Sequence, residues 1–245
     1  MSLQQGELKD ILTFPLDVYL KENGYLGIVG FDSSQNDFHI SSKSTVHGNF
    51  ADVFSDLFQK TLPSSLETEL LEFLHTQNVT LVFEVIEPDF DPHMIEYFHP
   101  RIVLLDVIYR TPEFEKFSYD AVVATAKRFG FEYKVHSYRF NNWGEFYTWY
   151  LDVSTDFTLE IEGYILEDAK GFMTKIKLPY YRFWKWMRSV KDKIAHHKTL
   201  PKAVFEDPLA NEFATWAMGK REELPLSETD IITLRKLFYK EKHLA

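Results

Sequence analysis

Apolar and polar positions along the chain change period several times, and those changes outline its elements. Asp17–Glu22 and Gly27–Asp32 suit strands, with Lys21 at their junction, and Phe38–Lys43 is a third short strand. Asn49–Lys60 and Ser64–Gln77 repeat apolar residues at helical spacing, and Ser64 with Glu67 forms a capping box. Thr80–Ile86 and Ile102–Tyr109 are nearly continuous apolar, β-rich runs of the kind that become central strands. Phe117–Phe129 is helical and closed by Gly130, while Leu159–Leu166 and Gly171–Leu178 read as strands joined by Glu167-Asp168-Ala169-Lys170. Beyond Pro179 the pattern is helical: Tyr180–His196, Asn211–Lys220, and Ser227–Lys242, opened by Ser227-Glu228-Thr229-Asp230. No repeat or low-complexity linker interrupts the chain. The expectation is an α+β domain over residues 1–179 followed by a small helical extension over residues 180–245.

Composition narrows this picture. With 45% hydrophobic and 26% charged residues among 245, the chain can bury a sizeable core, and its 22 Phe and 13 Tyr are expected mostly inside it. The lack of cysteine excludes disulfides, Cys-ligated zinc and thiol catalysis. No apolar run reaches about 18 residues and no signal-peptide pattern is present, so a cytoplasmic protein without a membrane partner is expected. The net charge of −10 argues against nonspecific coating of nucleic acid. The charge is uneven, however. Lys170–Lys202 holds eight Lys and two Arg against one acid, Asp192. Such a stripe suits either a phosphate backbone or a solvated helix face.

Candidate chemistry starts at Lys21-Glu22-Asn23-Gly24. The Lys-x-x-Gly pattern recurs at Lys127-Arg128-Phe129-Gly130, so alone it means nothing. The first copy is followed in order by Ser42-Lys43, Phe83-Glu84, Glu162-Gly163 and Lys175-Ile176-Lys177. An amine attacks phosphorus only when unprotonated, which calls for desolvation or neighbouring cations. Lys43, Lys175 and Lys177 offer cations that would also oppose a triphosphate. Strand alternation puts Glu84 on one face with Val82 and Ile86, where a carboxylate needs a partner. Glu160 and Glu162 are expected on one strand face, where a carboxylate can hold Mg²⁺ on a phosphate and Gly163 admits a ligand. Lys175 and Lys177 share a face as well. By contrast, Asp89–His93 lacks the glycine and spacing of a calcium loop, adjacent His196 and His197 share no helix face, and no Walker-type loop occurs.

This ordered set resembles the motifs of the covalent nucleotidyltransferases, which include DNA ligases, RNA ligases and mRNA capping enzymes. Leu20-Lys21-Glu22-Asn23-Gly24 with Ser42-Lys43-Ser44 is most similar to phage single-strand RNA ligases and fungal tRNA ligases. Phe83–Pro88, Ile102–Val107, Thr111–Phe114 and Trp184–Arg188 extend the resemblance over most of residues 15–190. It implies a nucleotidyltransferase (ATP-grasp-like ligase) domain with mainly antiparallel sheets flanked by helices. It also implies roles. Lys21 attacks the α-phosphate of ATP and carries AMP; Lys177 contacts that phosphate and Lys175 orients the leaving group. Glu84 binds the ribose, Lys43 supports the phosphates, and Leu20 and Ile165 sit at the nucleotide. Glu162 acts at the metal–phosphate centre with Mg²⁺. The implied partner is RNA, as a broken single strand or tRNA, and the implied state is a monomer. Leu26 stands where many DNA ligases carry arginine, which favours RNA. Asn23 replaces the aspartate usual in the motif. Ile102–Tyr109 is aliphatic where some relatives stack an aromatic on adenine. Only twenty residues precede Lys21, with Lys9 their sole cation, where phage and fungal relatives carry a long basic region. Adenylation is therefore the firmer expectation and sealing the weaker one. The alternatives are a capping-type guanylyltransferase and an inactive RNA-binding relative.

Overall fold

The computed structural model describes residues 5–242. In chain order the first elements are α1 (Gln5–Ile11), β1 (Leu16–Lys21), β2 (Tyr25–Asp32), β3 (Asp37–Ser42), α2 (Asn49–Thr61), α3 (Glu67–Gln77), β4 (Val79–Ile86) and β5 (Arg101–Tyr109). Then come α4 (Tyr119–Phe129), β6 (Glu132–Tyr133), β7 (His136–Phe140), α5 (Trp143–Thr155), β8 (Gly163–Asp168) and β9 (Met173–Lys177). The chain finishes with α6 (Pro179–Ala195), α7 (Lys202–Glu206), α8 (Pro208–Lys220) and α9 (Ile231–Lys242). Among the described residues no helix is long and apolar enough to cross a membrane.

These elements form two compact units. The first takes in the described residues up to Lys21, the segment Pro92–Glu96 and the described residues from His136 onward. The second takes in Glu22–Asp91 and Tyr97–Val135. The expected boundary after residue 179 falls at the start of α6, inside the first unit.

The sheet of the first unit runs β7-β1-β8-β9, antiparallel throughout. One face is the core: Leu16 and Val18 of β1, Tyr164 and Leu166 of β8 and Ile176 of β9 pack with Phe146 and Val153 of α5. Alternation then sends Tyr19 and Lys21, Ile165, and Lys175 and Lys177 to the opposite face. Helix α5 was not expected from the sequence. It opens with an Asn142-x-x-Glu145 box, in which Asn142 accepts from the Glu145 N–H at 3.1 Å and Glu145 accepts from the Asn141 N–H at 3.0 Å. Its aromatic residues Trp143, Phe146, Tyr147 and Tyr150 keep helical spacing but are residue types equally common in strands.

Helices α6, α8 and α9 have their own buried aromatic cluster. Fully buried Trp184 meets the rings of Phe213 and Tyr239, each at 5.6 Å. Arg235 of α9 is buried with it, donating to the Met94 carbonyl at 2.8 Å beneath a cation–π contact to Tyr180 at 5.2 Å. Tyr180, Tyr181 and Trp184 are thus core residues rather than free stacking surfaces, and Trp186 is half-buried.

The second unit holds the sheet β3-β2-β4-β5-β6, antiparallel except for the parallel β5–β6 pair. Leu81, Phe83 and Val85 of β4 face a core built with Phe54 and Phe58 of α2, Leu70 and Leu74 of α3, and Val122 and Phe129 of α4. Glu84 lies on the other face, as the alternation requires. Ser118 caps α4 by accepting from the Ala121 N–H at 3.3 Å, and Gly130 closes it in the left-handed region at φ 79°.

Several expectations are corrected. The Ser64–Glu67 box does not form, because Ser64–Leu66 folds as a 3₁₀ turn and α3 starts without a side-chain cap. Helix α9 is opened by Asp230, which accepts from the Thr233 N–H at 2.9 Å, rather than by Ser227. The strand expected from Leu159 begins only at Gly163.

Phe58 touches the rings of Phe38, Phe54, Phe83 and Phe131 at 5.3 to 6.2 Å. Phe58→Ala is expected to cost about 3–5 kcal/mol, measured as a lowered urea midpoint; a cost below about 1 kcal/mol would contradict this packing.

Candidate active site

Lys21 ends β1 on the non-core face of the first unit's sheet. The register places Lys21 opposite Gly163 and Gly163 opposite Lys177, so the two lysines flank a glycine on three neighbouring strands. The next line along the same face is Tyr19, Ile165 and Lys175. A side chain at Gly163 would block this arrangement. Its φ is +150°, and a Cβ there would collide with the carbonyl oxygen of Ile176.

Neither Glu160 nor Glu162 lies on β8, which starts at Gly163; Glu160 is exposed and Glu162 is only 3% exposed. Strict alternation would send Glu162 to the core beside Tyr164. The positive φ at Gly163 breaks the alternation, and the carboxylate reaches the lysine face. Its Oε1 lies 3.1 Å from Lys21 Nζ and 2.8 Å from Lys177 Nζ. The Leu178 N–H donates to the Glu162 carbonyl at 3.0 Å and fixes the loop.

Lys177 has a further partner that the sequence reading missed. Its Nζ lies 3.2 Å from the Tyr181 hydroxyl and 4.4 Å from that ring's centroid. Desolvation pulls the Lys177 pKa down, but hydrogen bonds and attraction from Glu162 and Tyr181 outweigh it and hold the ammonium above the ordinary lysine value. The signal was present in principle, since Tyr181 lies four residues beyond Lys177. Lys175 is exposed on the same strand face.

The residues after Lys21 have partners within the second unit. Buried Glu22 accepts from Arg101 Nη2 at 3.1 and 3.0 Å and from the Tyr97 hydroxyl at 2.9 Å. The same hydroxyl accepts from the Asn23 N–H at 2.9 Å. Burial, then the Glu22 carboxylate, push the Tyr97 phenol well above the usual tyrosine range, so it stays protonated and able to donate. Gly24 donates its N–H to Glu84 Oε1 at 2.8 Å, the partner that this buried carboxylate required. A Cβ at Gly24 would collide with the Val85 carbonyl. Nothing in the sequence marked Tyr97 or Arg101 as partners of the motif.

The first unit therefore brings together Lys21, Glu162, Ile165, Lys175 and Lys177. Leu20 pairs with Tyr164 on the opposite face, so its side chain does not join them. Glu84 and Lys43 belong to the second unit; Lys43 is exposed just after β3, its N–H bonded to the Leu26 carbonyl at 3.1 Å.

Among the described residues no group of three or more His, Asp or Glu side chains could cage a metal ion. A single carboxylate such as Glu162 nevertheless fits Mg²⁺, which typically takes one or two carboxylates and completes its shell with water and substrate phosphates.

Comparison with known proteins finds this fold in solved structures of ligases. A protein from Aquifex aeolicus assigned as an ATP-dependent DNA ligase superposes with a TM-score of 0.59 at 15% identity, over 100% of this chain and 64% of its own. An archaeal ATP-dependent RNA ligase matches at TM-score 0.58 and 12% identity, over 91% of this chain and 61% of its own. The Naegleria gruberi RNA ligase with PPi matches at 0.52 and 13%, over 72% and 53%. The chain thus spans between half and two thirds of the length of these structures. The RNA ligase family profile matches residues 2–181, and the chain belongs to that family. Sequence comparison with curated proteins finds no match.

Gly163→Ala is expected to destabilise the protein by about 1–3 kcal/mol or more, because the Ile176 carbonyl must move. A denaturant midpoint equal to that of the wild type would show that β8 and β9 tolerate the Cβ.

Proposed function

We propose that this chain is an ATP-dependent RNA ligase, or the adenylyltransferase part of one, acting through a lysyl-AMP intermediate. The observation that carries this reading is the convergence of Lys21 and Lys177 on one oxygen of Glu162. A nucleophilic amine is thereby set beside a second cation and a carboxylate, the groups that phosphoryl chemistry uses for attack, charge stabilisation and metal holding.

The unprotonated Lys21 amine attacks the α-phosphorus of ATP. A P–N bond forms as the bond to the bridging oxygen of the β-phosphate breaks; pyrophosphate departs and the nitrogen loses its second proton. Lys177 stabilises charge on the α-phosphate oxygens, and Lys175, beside it on the same strand face, orients the leaving pyrophosphate. Glu162 would hold Mg²⁺, which supplies charge neutralisation on the phosphates. Glu84 binds the ribose and Lys43 the phosphates; Ile165 contributes its side chain and Leu20 its backbone to nucleotide binding. AMP then passes to an RNA 5′-phosphate with release of the lysine, and an RNA 3′-hydroxyl displaces AMP to seal the strand. Residues 1–179 carry the adenylyl transfer and 180–245 form a C-terminal extension. The fold relatives support this use of nucleotide, since the Naegleria gruberi ligase is described with ATP and Mn and with PPi.

Incubation with α-labelled ATP and Mg²⁺, followed by denaturing electrophoresis, is expected to leave label on the protein. Lys21→Ala should abolish the label, and Lys177→Ala should reduce its rate of formation by about 10²-fold, as for loss of one transition-state donor. An unlabelled wild-type protein would refute the reading; label from GTP instead would make it a guanylyltransferase, and RNA binding without any label an inactive relative.

A further inference from the structure

In this acidic chain many cations meet carboxylates, as Lys116 and Lys134 do at Asp106, Arg139 at Asp17, and Lys191 at Asp192. Three on α6 do not. Among the described residues no ion pair joins Arg182, Lys185 or Arg188 to an acidic group, although Arg182 and Lys185 are exposed and Arg188 is half-buried.

Their position ties them to the lysine face. The Tyr181 ring lies under Lys177 Nζ at 4.4 Å and under Lys185 Nζ at 5.9 Å, so both ammonium groups are gathered around one aromatic ring. Tyr181, Lys185 and Arg188 fall at i, i+4 and i+7 and form one stripe, with Arg182 three residues before Lys185 alongside it. At 1.5 Å per residue, Arg182 to Arg188 extends the cationic surface by about 9 Å along the helix. Tyr180, Tyr181 and Trp184 are buried and cannot supply base stacking. What α6 offers outward is positive charge leading away from Lys177.

We propose that Arg182, Lys185 and Arg188 form a track for the phosphate backbone of single-stranded RNA approaching the Lys21–Glu162–Lys177 cluster. This rests on the RNA ligase reading and adds to it where the strand runs and how it is recognised: by phosphates, independently of base sequence. Such contacts release counterions, so affinity falls with salt by about 0.7 per contact on a log–log plot for single strands.

The test uses the full chain and a 5′-phosphorylated single-stranded RNA of about 12 nucleotides, within the usual range of single-strand site sizes. Binding is followed by fluorescence anisotropy across a KCl series. The triple variant Arg182→Ser, Lys185→Ser, Arg188→Ser is expected to weaken binding at low salt and to lower the salt slope by about 2. A matched triple at exposed Lys60, Lys127 and Lys240 should keep the wild-type slope, and Arg182→Lys with Arg188→Lys should keep it too. Equal loss in both serine triples, no loss in the α6 triple, or no RNA binding by the wild type would each overturn the track; an α6 stripe without effect on RNA is left to an acidic protein or to solvent. Labelling of the wild type with ATP is read first. Failure there refutes the ligase reading itself, whereas successful labelling with an unaltered slope refutes only the track.

Discussion

Two ammonium groups on one buried carboxylate oxygen form the constraint around which the first unit's sheet is arranged. Without an anion between them, Lys21 and Lys177 would repel one another by several tenths to a few kcal/mol, depending on local screening. Without the cations, nearly inaccessible Glu162 would be an uncompensated charge. The solution needs both lysines on one face of the two strands that flank β8, a residue without a side chain between them, and a carboxylate that leaves the strand's alternation. Gly163 meets the last two needs together. An incoming polyphosphate would offer the same two cations another anion.

The four residues of the Lys-Glu-Asn-Gly motif each have a named partner: Glu162 for Lys21, Arg101 for Glu22, Tyr97 for Asn23 and Glu84 for Gly24. Asn23 and Gly24 are held through their backbone N–H groups, and Glu22 through its carboxylate. Glu22, which had no assigned part, turns out to be a buried acid whose charge is satisfied by a two-bond contact from a guanidinium and by a phenol. The motif's short spacing therefore reflects a dense set of supports as much as it reflects reactivity.

Much of this was legible in the sequence, for identifiable reasons. β4 and its Glu84 could be read because strand alternation is strict and a carboxylate among apolar neighbours stands out. Lys175 and Lys177 could be placed on one face by the same rule. The rule failed at Glu162, because a glycine with positive φ ends the alternation and no sequence period records a φ angle. Helix α5 was missed although Trp143, Phe146, Tyr147 and Tyr150 fall at i, i+3, i+4 and i+7, because Trp, Tyr and Phe are equally the residues of strands. β6 has two residues and β7 alternates weakly, so both owe their existence to pairing with β5 and β1. The aromatic residues of α6 were legible as aromatic but not as buried, since burial depends on α8 and α9 arriving from later in the chain.

The division into two units has an optical consequence. All five tryptophans, at 143, 149, 184, 186 and 216, lie in the unit that contains Lys21, Glu162 and Lys177, and none lies in the unit that contains Glu84 and Lys43. Intrinsic indole emission is therefore a selective reporter. It follows the environment of the lysine-bearing half and its helical extension, while the other half remains dark to the same excitation.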